Sequence, residues 1–275
     1  MEGCSLFVIL LLGIGCGQLV AGISVEKDLS LTLSQKNALD KFRAQVEPLL
    51  DQSYMKNDIY LIRWLRARNF DLRSAENMLR ENLKWRREQK IDGIRKEDWN
   101  DMRRDYHATI DTYDKEGRPI GVIDIYDWDI RRAVLQGKGQ RLLRYMDYLL
   151  ESITTQVFER QDRGMNVTQW KVLGNADGFN LIEHGCPLCI PLWIQFIQGL
   201  ENHYHGWLDE LIVIDAPSTI NVILEAVRPF LTRQTRDAFR IFGPNKTKWM
   251  PYIEERIAKS ERRPQYGGTK PPVNY

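Results

Sequence analysis

The run Leu211-Ile212-Val213-Ile214, closed by Asp215-Ala216-Pro217, constrains this chain more than any other stretch. Unbroken apolar runs of this kind suit a central strand covered on both faces. Further strand patterns lie at Ala108 to Tyr113, Pro119 to Tyr126, Gln169 to Ala176 and Ala238 to Phe242, and the run itself extends from Glu210 to Asp215. Asp114-Lys115-Glu116-Gly117 joins the first two as a hairpin turn. Helical patterns separate the others, at about Gln140 to Gln161, Pro187 to Leu200, residues 218–230 and Lys246 to Ile257. Alternation of this kind predicts an α/β fold with a mostly parallel sheet and right-handed crossovers.

Upstream of Tyr106 the pattern is helical throughout. Ser34 is expected to cap a helix running to Val46, with Pro48 beyond its end. Asp58 is expected to cap Ile59 to Arg68. Asn69-Phe70-Asp71 breaks the chain, and Asp71 caps a longer helix. Leu72, Ala75, Leu79 and Leu83 of that helix recur at three and four, which marks one buried stripe. A short helix near Lys96 to Arg104 completes a headpiece over residues 34–105, ahead of an α/β domain over 106–268. With 275 residues and 43% hydrophobic content, the chain has enough for one sizeable core and a helical appendage.

The net charge of +2 does not argue for a nucleic-acid partner. A local basic face could still meet an anionic membrane. Arg63, Arg66 and Arg68 read as a solvated face, with membrane steering the second reading. Gly3 to Val25 carries no charge, and Val20-Ala21-Gly22 offers small residues for cleavage. Residues 1–22 therefore read as a signal peptide, with an uncleaved anchor as the alternative. Asn166-Val167-Thr168 and Asn245-Lys246-Thr247 are glycosylation triplets that fit a secreted or extracellular chain.

In Ser218 to Phe230, Ile220, Val222, Ile223, Leu224, Val227 and Phe230 cover more than one stripe, and Ser218 is expected to cap the helix. A helix apolar on most faces is either fully buried or faces something other than water. The helix at Pro187 to Leu200 is similarly rich in Leu, Ile, Trp and Phe, and core packing or pocket lining both fit it.

Several motifs, in order and spacing, resemble one known family. Asp58 to Asp71, reading Asp-Ile-Tyr-Leu-Ile-Arg-Trp-Leu-Arg-Ala-Arg-Asn-Phe-Asp, is similar to the helical signature of CRAL-TRIO lipid-transfer proteins. Asp114-Lys115-Glu116-Gly117-Arg118-Pro119, Asp177-Gly178, Ile214-Asp215-Ala216-Pro217, Arg228-Pro229-Phe230-Leu231 and Gln265-Tyr266-Gly267-Gly268 follow in the family's order. The resemblance covers about residues 34–268. It includes phosphatidylinositol-transfer, tocopherol-associated and retinal-binding branches.

The resemblance implies a protein, expected as a monomer, that takes one lipid from a membrane, which it meets transiently, and shields it in a pocket. It implies no catalysis, no metal and no cofactor beyond the bound lipid. The expected partner is a hydrophobic small molecule or a phospholipid. Most relatives are cytoplasmic with membrane association, which stands as the alternative to the secretory reading. The helix at 218–230 becomes a gate. The pocket is expected to be lined by Ile123, Ile125 and Ile214 from strands, Trp193 and Phe196 from the Pro187 helix, and Ile220, Ile223, Leu224, Val227 and Phe230 from the gate. Spacing from Pro217 and Pro229 puts the family's headgroup positions at Gln195 and Arg228. Phosphoinositide-binding members carry an acidic residue and a Lys there. Arg228 can still hold a phosphate, but Gln195 lacks the charge, so a tocopherol, retinoid or sterol precursor gains weight.

Two readings from other classes remain. One is a protein-interaction scaffold of the same fold, of the small-GTPase type. The other is a thiol oxidoreductase through Cys186-Pro187-Leu188-Cys189, a Cys-x-x-Cys at a helix start. With no second pair to complete a zinc site, two buried thiols or an incidental disulfide fit that motif better. His203-Tyr204-His205 has no acidic or Cys cluster beside it and reads as a loop.

Overall fold

The computed structural model describes residues 25–273. The leader read at residues 1–22, with Cys4 and Cys16, lies outside the described residues. A short helix α1 (Val25–Asp28) precedes a headpiece of α2 (Leu33–Val46), α3 (Asp58–Ala67), α4 (Leu72–Glu88) and α5 (Asn100–Arg103). Thr32, and not Ser34, caps α2. Its hydroxyl accepts from the Gln35 N–H, and the Gln35 side chain accepts from the Thr32 N–H. Such a reciprocal box needs Gln or Glu three residues after the cap. Thr32 has that partner, whereas Ser34 is followed at that distance by Asn37. Asn57 displaces Asp58 as the cap of α3, accepting from the Ile59 N–H at 2.9 Å. Asp58 takes the first turn instead, where a negative charge suits the helix dipole. Asp71 caps α4 as expected, accepting from the Ser74 N–H at 2.7 Å.

The basic face read at Arg63, Arg66 and Arg68 does not form. Every residue of α3 from Ile59 to Leu65 is buried, Arg63 included. The Arg63 guanidinium donates to the carbonyls of Thr168 and Gly206 and lies 3.9 Å from the Trp207 ring centroid. Arg63 and Arg66 both pair with the buried Asp28. Arg68 alone of the three is exposed.

The remaining chain runs β1 (Ala108–Tyr113), β2 (Pro119–Asp124), α6 (Ile130–Leu135), α7 (Gly139–Asp162), β3 (Trp170–Asn175), α8 (Ile190–His203), β4 (Leu208–Ile214), α9 (Asn221–Val227), α10 (Arg233–Asp237), β5 (Phe239–Ile241) and α11 (Lys246–Arg256). The strands form one sheet in the order β1-β2-β3-β4-β5. Only β1 and β2 pair antiparallel; the other neighbours are parallel, as the alternating pattern predicts. In the hairpin, Asp114 accepts from the Glu116 and Arg118 N–H groups while Gly117 takes a φ of 85°. That angle is the left-handed region that favours glycine.

Successive strand residues face opposite sides of a sheet. Ile212 and Ile214 of β4 point toward α11, where they pack with Trp249 and Ile253. Leu211 and Val213 point the other way, toward α7, α8 and α9. Both sides of β4 are therefore apolar, which is why its sequence shows no alternation. Among the described residues, no helix is long and apolar enough to cross a membrane.

Candidate functional site

Between the sheet and its covering helices lies a cavity of about 210 Å³. Its floor is Gly121 and Ile123 of β2, Trp170, Val172 and Gly174 of β3, and Leu211 and Val213 of β4. Met146, Leu149, Leu150 and Ile153 of α7 and Trp193 and Phe196 of α8 roof it. One wall comes from the turn Ser218–Ile220 and α9 through Ile220, Ile223, Leu224 and Val227. The floor is low at Gly174 because a Cβ there would meet the Ile125 Cδ1 at 2.9 Å.

The polar atoms of the wall are already engaged. The indole N–H of Trp128 donates to the His107 carbonyl at 2.9 Å, that of Trp170 to the Thr154 hydroxyl at 3.1 Å, and that of Trp193 to the His184 carbonyl at 2.8 Å. Thr109 is the one polar side chain among the described lining residues, and its hydroxyl accepts from Arg263 at 3.2 Å. Water in such a space finds no side-chain partner. Apolar cavities of about 150 Å³ stay dry and take up small apolar molecules. No titratable side chain lines the wall. Among the described residues, no group of three or more His, Cys, Asp or Glu is placed to hold a metal ion.

Of the residues expected at the pocket, Ile123, Ile125, Trp193, Phe196, Ile220, Ile223, Leu224 and Val227 meet at this cavity. Ile214 does not, because strand alternation turns it to the α11 side. Phe230 does not either. The stretch 218–230 is not one helix: α9 is flanked by 3₁₀ turns at Ser218–Ile220 and Arg228–Phe230. Pro229 has no N–H to continue the ladder. The chain extends at Leu231, which is buried, while Phe230 is 38% exposed. Ser218 makes no capping hydrogen bond. The outer face of α9 carries Asn221 and Glu225 beside Val222, so the helix is two-sided and not apolar all round.

Gln195 and Arg228 lie outside the cavity lining. The Gln195 carbonyl accepts from Gln140 at 3.1 Å, and Arg228 pairs with Glu225 at 3.1 Å on the surface. The α7 contribution was missed by the sequence reading, although Met146, Leu149, Leu150 and Ile153 recur at helical spacing. That stripe marked a buried face without saying that the face borders empty space.

Cys186 and Cys189 form a disulfide in the turn that leads into α8. Cys189 is fully buried. His203 is the last residue of α8, and Tyr204 and His205 lie in the turn that follows, as the loop reading has it; both histidines pack against aromatic rings. His203 stacks on Trp85 with ring centroids 3.7 Å apart, and His205 meets Trp64 edge-on at 4.7 Å. Burial lowers their pKa values to about 4 and about 3.

A family model described as the CRAL/TRIO domain matches residues 103–268. Among curated proteins, Protein real-time of Aedes aegypti is 25% identical over 212 residues, covering 76% of this chain and 33% of that protein. The chain thus spans about a third of the length of this relative. Among solved structures, the crystal structure of Sfh5 matches with a TM-score of 0.69 at 14% identity, over 88% of this chain and 89% of that one. At that identity the likeness shows the shared fold.

Proposed function

This chain belongs to the CRAL/TRIO domain family, whose members bind lipids, and from that premise we propose that it holds one hydrophobic ligand in the cavity and passes it between membranes when α9 moves aside. The observation that carries the reading is a wall with no unengaged polar side chain. Each methylene buried there contributes about 0.8 kcal/mol, so a ten-carbon tail gains several kcal/mol after losses. The rim of the cavity supports membrane contact. Val222 and Phe230 are exposed on the gate, and Ile182 and Leu188 are exposed on the loop before α8. That loop packs on the gate, since a Cβ at Gly185 would sit 3.7 Å from Ile223. The positions of Gln195 and Arg228 do not favour a phosphoinositide headgroup bound between them. The reading of residues 1–22 as a leader and the Cys186–Cys189 disulfide both fit a proposed entry into the secretory pathway, which sequencing the mature N-terminus tests.

The ligand reading is tested by solvent extraction and mass spectrometry of the purified protein, followed by transfer between donor and acceptor vesicles. About one lipid per chain and accelerated transfer are expected. A chain that purifies empty and moves no lipid overturns the proposal.

A further inference from the structure

The apolar cavity has a polar neighbour at the β1 edge of the sheet. Ala108 and Ile110 of β1 and Leu149 of α7 border both the cavity and a second chamber of about 410 Å³. That chamber is lined by Arg95 from the turn Ile91–Lys96, by Arg103 of α5, and by Tyr148, Ser152 and Gln156 of α7. The Arg103 guanidinium donates to the Tyr148 hydroxyl at 2.5 Å and lies 5.4 Å from its ring centroid. Arg95 is exposed and has no ion pair among the described residues. Gln156 donates through Nε2 to the Ile110 carbonyl at 2.7 Å. Only the amide NH₂ can donate to a carbonyl, so this bond sets which way the amide points. Its Oε1 is left as a buried acceptor with no partner among the described residues. Glu159 also borders the chamber, one exposed carboxylate against two guanidiniums.

We propose that this chamber holds the polar end of the ligand whose tail lies in the apolar cavity, and that the ligand is an anionic amphiphile. The inference rests on the lipid-binding reading above and names the headgroup chemistry that reading left open. Two guanidiniums match the fork geometry of a carboxylate or a phosphate ester. A hydroxyl beside that group would satisfy the Gln156 Oε1. The five strands span four gaps of about 4.8 Å, so a tail laid across the sheet from β1 toward β5 covers about 19 Å. Both arginines come from the headpiece, while the tail contacts come from the sheet and its helices. Such a ligand bridges the two parts of the chain.

Calorimetric titration of the full chain with oleate, oleyl alcohol and inorganic phosphate tests this. The wild-type protein should bind oleate more tightly than oleyl alcohol, and phosphate alone far more weakly than either. In Arg95→Gln/Arg103→Gln, oleate affinity should fall about tenfold or more while the alcohol changes less than about twofold. The single variant Arg95→Gln removes an exposed, unpaired side chain and should show a smaller loss in the same direction. Unchanged oleate affinity, or equal losses for acid and alcohol, overturns the headgroup assignment. Phosphate binding as tightly as oleate also overturns it, in favour of a free-anion site. A wild-type chain that binds neither oleate nor the alcohol overturns the cavity reading itself.

Discussion

Leu224 faces the cavity from the short helix that closes it. A Leu224→Trp change puts an indole into a space of about 210 Å³. Overpacking of this kind costs about 1–3 kcal/mol, so the variant should fold with a lowered melting temperature and purify without lipid. Mass spectrometry of the extract checks it. Asp147 of α7 makes a separate prediction. Burial, and then the Glu151 carboxylate one turn on, push its pKa up to about 7 against the pull of Arg144. The unfolded carboxyl titrates near 3.9. The native state therefore holds a proton that the unfolded chain has lost, and the stability from Asp147 fades between about pH 4 and pH 7. Asp147→Asn should stabilise the protein by about 1–2 kcal/mol near pH 8, and by progressively less as the pH falls toward 4. Denaturant midpoints across that range check the slope. His203 and His205 act in the opposite sense. Neutral when folded, they oppose folding as the pH drops below about 6.5, where the unfolded imidazoles charge.

At the scale of elements, the disulfide sits at the start of α8, and α9 forms one wall of the cavity. The Cys186–Cys189 link closes a loop of only a few residues, so chain entropy gives it about 2 kcal/mol. Cys186→Ser/Cys189→Ala should lose about that much and speed hydrogen exchange in the first turn of α8, where Trp193 sits. In the proposed transfer cycle, α9 meets the membrane with its outer face. Val222→Asp/Phe230→Asp alters exposed positions that do not line the cavity. That variant should retain ligand affinity in solution and slow transfer between vesicles several-fold. An equal loss of affinity and transfer would show that these side chains serve the cavity and not the membrane.

Across the whole molecule, the headpiece and the α/β part share one core. Leu61, Leu65 and Leu79 pack in the same cluster as Val167, Trp170 and Val213. Arg63 joins the two parts at carbonyls in the loops before β3 and β4. Burial lowers its pKa to about 10, so it remains charged at neutral pH. Arg66 still pairs with Asp28 in Arg63→Ala, so the loss comes from the Thr168 and Gly206 carbonyls left without their donor, about 1–3 kcal/mol each, and the wild-type chain should unfold in one transition. Two separated transitions in urea would contradict a common core.

The sequence by itself determined the elements and the family. The unbroken run at Leu211 to Ile214, the stripe Leu72 to Leu83 and the hairpin at Asp114 to Gly117 each state a local period or turn chemistry, and local signals survive without neighbours. Capping was harder to place, since Thr32 and Ser34, or Asn57 and Asp58, compete within two residues and only backbone geometry selects one. The lining of the cavity was legible where a helix face announced it, at Ile220, Ile223, Leu224 and Val227. It was misplaced at Ile214, because a strand apolar on both sides gives no sign of which side meets the empty space. Arg63 was misread as a surface charge, because the carbonyls that bury it lie more than a hundred residues away in the chain. The polar chamber beside β1 belongs to the same class. It brings Arg95 and Arg103 to Gln156 only after α7 has packed against the headpiece, and no spacing in the sequence records that meeting.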